Sequence, residues 1–446
     1  MKDKNTLGAK RLASFFDAGT FVELGAYICR PGKEDAEGVT CGYGAVGGRL
    51  VFAFAQDSTL MKGALDGRHA DKIVATYEKA LSVGAPVVGF FDCAGAAVFD
   101  GAAALAGYGK LLGTVSRASG KIPQIAVISG NCAGTMAAVA ALFDLTVVIE
   151  GKSRLYVSSP FLVGEEVGTA AYAMANGNAA LSVASEEEAA AAVANLLSYL
   201  PDRAGSATPT TATDDLNRAL AIGDKITAKE AVAACVDAGR FVELYAPYAE
   251  NVTAGLAAMG GVSSVVVGVD GQLTLAAVEK INHLVSFADA FSLPLVSFVN
   301  CEGVAVDEQP RMAGALAALC NAMSNARAPR VCAIVGSAIG AGFLFGGAKT
   351  LGTDVVFALP GAEIAALGAA AGVAFLWNDR ITPEVSRESL EKEWLCEMAA
   401  PEKAAADGEI DDIVAPCELR ARVLAALMML RDKGSVWRRR HGVKPF

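Results

Sequence analysis

The chain has 446 residues, 53% of them hydrophobic and 19% charged, with a net charge of −10. The acidic balance argues against nucleic-acid binding, which rests on basic surfaces that displace counterions. So much apolar surface in so long a chain implies two or three domains, with burial between subunits as well as within them. The N-terminus, MKDKNTLGAKRLASFFDAG, has no apolar signal-peptide core. An early amphipathic helix leads into a strand in GTFVELGAY (19–27), and a Gly-Gly turn joins two strands in VTCGYGAVGGRLVFAFAQD (39–57). A long helix is expected over 69–83, a strand over 86–92, then a further helix. The uncharged run IAVISGNCAGTMAAVAALF (125–143) follows. Its length approaches that of a membrane span. It opens β-rich, turns at glycine and closes Ala-rich, so it reads as a buried strand, a turn and a buried helix.

The same order returns in the second half. DAGTFVEL (17–24) and DAGRFVEL (237–244) agree at seven of eight positions. VTAGLAAMGGVSSVVVGVD (252–270) parallels the first Gly-Gly hairpin. A helix over 274–291 and a strand over 294–300 precede a second strand–turn–helix, VCAIVGSAIGAGFLFGGA (331–348). Between the halves, DRAGSATPTTATDD (202–215) reads as a linker, which sets two homologous domains at 1–205 and 215–446. Helices alternating with strands point to an α/β fold of stacked layers.

A strand running into a glycine turn and a helix leaves backbone N–H groups unpaired, with positive potential from the helix dipole. This is how an oxyanion hole is built. Gly134 and Thr135 are the candidates in the first half, and Gly340, Ala341 and Gly342 in the second. The same small residues could instead serve only close helix–strand packing. Conventional machinery is scarce. The three histidines, His69, His283 and His441, have no metal-ligand spacing, and no GxSxG elbow or Walker loop is present. The ten cysteines form no CxxC pair, which suits a reducing cytoplasm. Asp92 reads most simply as a turn or helix cap, with a catalytic role as the alternative. Asp100 and Glu302 are possible acid/base groups. Lys110, Arg117, Lys121 and Arg438–Arg440 are basic candidates for phosphate contacts or solvated surface.

Together, GTFVELGAY (19–27), GYGAVGGRLVFAFAQDSTLMKGAL (42–65), LAGYGKLLGTVSRASGKIPQIAVISGNCAGTMA (105–137), FADAFSLPLVSFV (287–299), LGTDVVFALPGAEIAALGAAAGV (351–373) and AAADGEIDDIVAPCELRARVLAALMMLRDK (404–433) carry a resemblance. The chain resembles the carboxyltransferase subunits of biotin-dependent acyl-CoA carboxylases and decarboxylases, of the propionyl-CoA carboxylase β and methylmalonyl-CoA decarboxylase α type. The resemblance implies a duplicated crotonase-like (ClpP/crotonase) ββα spiral fold assembled as a trimer of dimers. It also implies an active site between the N-domain of one subunit and the C-domain of another.

By the same resemblance, Cys132-Ala133-Gly134-Thr135 holds an acyl-CoA thioester oxygen, and Gly340-Ala341-Gly342 holds the ureido oxygen of biotin. The two enolates of the reaction then need N–H donors and no protein base or metal. Ala133, Ala94, Gly95, Ala96 and Leu344 line the substrate. No Ala-Met-Lys-Met attachment sequence and no zinc ribbon are present. The biotin is therefore expected on a separate carrier protein, with a biotin carboxylase or membrane decarboxylase subunit as further partner.

Several positions depart from the family pattern. Ala97 stands for its arginine, Thr135 for a glycine and Glu302 for a proline. Two other readings therefore stay open: a biotin-independent crotonase-type enzyme, and a non-catalytic acyl-CoA-binding or assembly subunit.

Overall fold

The computed structural model describes residues 6–28, 38–208, 211–306 and 309–433. Cys29, His441 and the basic cluster Arg438–Arg440 lie outside the described residues. The chain forms two compact units, Met1–Pro209 and Thr210–Trp437.

The first unit begins with α1 (Leu7–Phe15), followed by strands β1 (Val22–Leu24), β2 (Val39–Val46) and β3 (Arg49–Gln56). Helix α2 (Gly67–Val83) leads to β4 (Val87–Cys93), and α3 (Ala102–Ala118) to β5 (Gln124–Ala133). Then come α4 (Thr135–Ala141), β6 (Leu145–Ile149), β7 (Arg154–Tyr156), α5 (Pro160–Val163), α6 (Ala170–Ala175), β8 (Leu181–Val183) and α7 (Glu186–Tyr199). The sheet order is β1-β2-β3-β4-β5-β6-β8, with β7 paired to β5. β1, β2 and β3 pair antiparallel, and every pair from β3 onward is parallel.

Local chemistry explains the boundaries. Asp66 caps α2 by accepting the His69 N–H, and Gly84 ends it in the left-handed conformation. The β2–β3 turn needs positive φ at both central positions, and Gly47 (φ 56°) and Gly48 (φ 76°) supply it. Their N–H groups donate to the carboxylate of Asp17 at 3.1 and 2.8 Å. A core of Phe54, Ile73, Tyr77, Phe91, Leu111 and Phe143 fills the space between α2, α3 and the sheet.

The second unit repeats this plan. Its elements are α8 (Ala228–Cys235), β9 (Phe241–Glu243), β10 (Val252–Met259), β11 (Val262–Leu273), α9 (Leu275–Phe291), β12 (Leu295–Val304), α10 (Gln309–Asn325), β13 (Arg330–Ile339) and α11 (Ala341–Gly347). They are followed by β14 (Val355–Ala358), β15 (Glu363–Ala365), α12 (Ala369–Leu376), α13 (Arg387–Met398), α14 (Pro401–Ala406), β16 (Asp412–Ile413) and α15 (Leu419–Met429). The order is β16-β14-β13-β12-β11-β10-β9, with β15 paired to β13. Asp237 does for Gly260 and Gly261 what Asp17 does for the first hairpin, at 2.8 and 2.9 Å. The repeated DAG motif is therefore a turn clamp.

Asp237 also meets the buried guanidinium of Arg420 at 2.5 Å, and both side chains are fully buried. Removing one partner strands the other charge in the core. Arg420→Met should lower the stability of this unit by about 3–5 kcal/mol, read from its urea midpoint. An unchanged midpoint would contradict the assignment. Among the described residues no helix is long and apolar enough to cross a membrane.

Candidate active site

Both strand–turn–helix segments adopt the expected geometry. β5 runs to Ala133, Gly134 turns, and α4 starts at Thr135; β13 runs to Ile339, Gly340 turns, and α11 starts at Ala341. The turns are nearly superimposable in torsion, with φ 63°, ψ −131° at Gly134 and φ 53°, ψ −118° at Gly340. Such torsions are closed to residues with a Cβ without strain.

One expectation needs correction. Gly134 and Gly340 are not free donors, because their N–H groups enter the sheet, on Tyr156 O and Ala365 O, each at 2.9 Å. The next bonded amides are Ala137 and Phe343, which close onto Gly134 O and Gly340 O at 3.1 Å. Between them, the N–H groups of Thr135 and Met136 in one unit, and of Ala341 and Gly342 in the other, have no acceptor among the described residues. The donor pair is thus shifted one residue along in the first unit. The glycines act as hinges that free the pair. Sequence reasoning missed Met136 because β7, which captures the Gly134 N–H, comes from a separate segment.

Thr135 sits at the first helical position, so it costs no backbone strain. Its side chain is exposed. Gly342 is required by contact: a Cβ there would lie 2.6 Å from Cys301 O. Leu344 is 44% exposed on α11, and Ala133 is buried at the end of β5.

Ala94, Gly95 and Ala96 form the loop after β4. It is stitched to residues 62–65 by Ala94 N–H to Lys62 O (3.0 Å), Leu65 N–H to Gly95 O (2.9 Å) and Ala97 N–H to Leu65 O (2.8 Å). Ala97 is buried.

The cysteines near the turns are not nucleophiles. Burial raises the thiols of Cys132, Cys93 and Cys301, so they stay protonated at neutral pH. His69 lies buried against Gln56 Nε2 at 3.2 Å, and His283 against Tyr245 Oη at 3.1 Å. Asp92 is not a cap: it is buried and paired with Arg11 at 3.1 Å. Asp100 and Glu302 are exposed, on the segments that follow β4 and end β12. Lys110 is paired with Asp71 on the surface at 2.8 Å, and Arg117 donates to Thr114. Among the described residues no group of three His, Cys, Asp or Glu side chains could hold a metal ion.

Each of the two α/β units thus carries an amide turn whose two N–H groups have no acceptor among the described residues. The carboxyl transferase domain model matches residues 3–443. The chain belongs to the carboxyl transferase family. It is 33% identical to the methylmalonyl-CoA decarboxylase subunit alpha of Veillonella parvula, over 95% of this chain and 90% of that one. It is 32% identical to the propionyl-CoA carboxylase carboxyltransferase subunit of Haloferax mediterranei, over 97% and 92%.

Among solved structures, it matches transcarboxylase 12S, a hexamer solved with methylmalonyl-CoA and methylmalonic acid bound. The TM-score is 0.89 and the identity 29%, over 98% of this chain and 92% of that one. The duplicated sheets are therefore the two homologous domains of a crotonase-like carboxyl transferase.

Proposed function

We propose that this carboxyl transferase moves a carboxyl group between carrier-borne biotin and the α-carbon of a short-chain acyl-CoA of the propionyl/methylmalonyl type. The domains at 1–205 and 215–446 would contribute one half-site each. The observation that carries the reading is the pair of amide turns: in each unit, two N–H groups at the start of a helix have no acceptor among the described residues.

In the decarboxylating direction, the bond from the α-carbon to the carboxylate breaks and its electrons move toward the thioester oxygen. The Thr135 and Met136 N–H groups receive that oxygen, and each such donor is worth about 3–4 kcal/mol in the transition state. Biotin supplies the nitrogen that accepts the carboxyl group and the proton returned to the α-carbon. The Ala341 and Gly342 N–H groups suit its ureido oxygen, which gains negative charge as the neighbouring ring nitrogen gives up its proton. Ala94, Gly95, Ala96, Ala133 and Leu344 would shape the acyl pocket.

The biotin carrier, and a biotin carboxylase or membrane decarboxylase subunit, are proposed as partners, with action in the cytoplasm. A trimer-of-dimers assembly is proposed with them, and Phe99 and Phe161, each 97% exposed, and Phe375, 80% exposed, suit burial against partner subunits.

The test is decarboxylation of malonyl-, methylmalonyl- and glutaconyl-CoA with and without free biotin. Biotin-dependent loss of the carboxyl group is expected. Turnover that ignores biotin would favour acid/base chemistry at Asp100 or Glu302. No turnover across the panel would indicate a binding or assembly subunit.

A further inference from the structure

Beside each amide turn the parallel register slips at a single residue. In the first unit Phe91 pairs with Ile128 but Cys93 with Cys132, so Ser129, Gly130 and Asn131 face Asp92 alone. In the second, Val299 pairs with Ile334 but Cys301 with Ala338, so Val335, Gly336 and Ser337 face Asn300 alone. A bulge of this kind bends its strand and interrupts the ladder.

The lone side chain fills each gap. Asp92 Oδ1 accepts the Asn131 N–H at 3.3 Å, and Asn300 Oδ1 accepts the Ser337 N–H at 2.9 Å. Glycine at the middle of each bulge makes room. A Cβ on Gly130 would lie 2.2 Å from Asp92 Oδ1, and one on Gly336 would lie 2.2 Å from Asn300 Oδ1. The bridging residues are themselves held. Arg11 donates to Asp92 Oδ2 from both terminal nitrogens at 3.1 Å, and Ser58 Oγ at 2.7 Å. Asn300 Nδ2 donates to Asp270 Oδ1 at 2.8 Å. Three residues beyond each bridged amide lies the hinge glycine, Gly134 or Gly340.

We infer that Asp92 and Asn300 are positioning residues of the reaction: each fixes how its strand leaves the bulge, and so the aim of the two N–H groups beyond the hinge. What the bulge requires is an acceptor oxygen, because a carboxylate serves in one unit and a neutral amide in the other. The charge on Asp92 answers Arg11. The inference rests on the half-site reading above, which assigns the first turn to the thioester and the second to biotin.

Asp92→Leu, Asp92→Asn and Asn300→Leu test it in the full chain. Asp92→Leu should lower kcat for methylmalonyl-CoA decarboxylation at least about tenfold, as a misaimed oxyanion donor does, with the KM for free biotin within about twofold. Asp92→Asn keeps the acceptor. Arg11 there retains Glu186 at 3.0 Å and Gln56 O at 2.9 Å, so kcat should stay within about threefold of the parent. Asn300→Leu should lower kcat/KM for biotin about tenfold and leave acyl-CoA binding unchanged.

Amide exchange of residues 129–136 should quicken in Asp92→Leu and not in Asp92→Asn. That readout needs no turnover, so a protein inactive on the acyl-CoA would count against the half-site reading while exchange still judges the bulge. The inference is overturned if Asp92→Leu keeps the parent kcat or exchange, or if Asp92→Asn is as damaged as Asp92→Leu. Should Asp92→Leu not fold, a tenfold loss in Asp92→Asn, or parent biotin kinetics in Asn300→Leu, overturns it.

Discussion

Thr135→Pro should lower acyl-CoA turnover about 100- to 1,000-fold, the usual cost of deleting one oxyanion donor, while the urea midpoint stays where it was. Thr135 is the first residue of α4, the helical position at which proline is welcome. Its N–H has no protein acceptor among the described residues, so no structural hydrogen bond is lost. Gly134, at ψ −131°, is far from the α region that a following proline forbids. The substitution therefore removes a proton donor and little else. Thr135→Ala is the control, because the hydroxyl is exposed and makes no hydrogen bond among the described residues. It should stay within about threefold of the parent. Equal losses in the two variants would assign the role to the hydroxyl rather than the backbone.

Ala341→Pro is the counterpart in the second unit and should act on the other substrate. Ala341 opens α11 as Thr135 opens α4, after a hinge glycine of the same torsions. The expected result is a fall of about 100-fold in kcat/KM for free biotin. The dissociation constant for a non-reacting acyl-CoA thioester should not change. Steady-state kinetics in biotin, paired with calorimetric titration of the thioester, separates the two quantities. A variant that loses thioester affinity instead would reverse the assignment of the half-sites.

Much of this architecture was legible in the sequence because it is local and repeated. DAGTFVEL and DAGRFVEL announce the duplication, and the structure shows their aspartates clamping the amides of a Gly-Gly turn. The uncharged runs read as strand, turn and helix because β-branched residues give way to glycine and then alanine. The helices expected over 69–83 and 274–291 are found at Gly67–Val83 and Leu275–Phe291.

What escaped the sequence is non-local. The Gly134 N–H is taken by Tyr156 and the Gly340 N–H by Ala365, and neither partner could be inferred from the turn itself. Asp92 looked like a cap because its partners, Arg11 and Asn131, lie 81 and 39 residues away. The small core of Val373, Leu390 and Trp394 that joins α12 to α13 also has no periodic signature, since α12 is apolar on every face.

In the proposed reaction, two backbone oxyanion sites serve two substrates that exchange one carboxyl group. This is tested most directly by following that group. Methylmalonyl-CoA labelled in its free carboxylate is incubated with the protein and free biotin, and the label is traced. The account predicts label in an acid-labile biotin adduct, accumulating in step with its loss from the thioester. Label released at the same rate without biotin, with none on biotin when it is present, would contradict it.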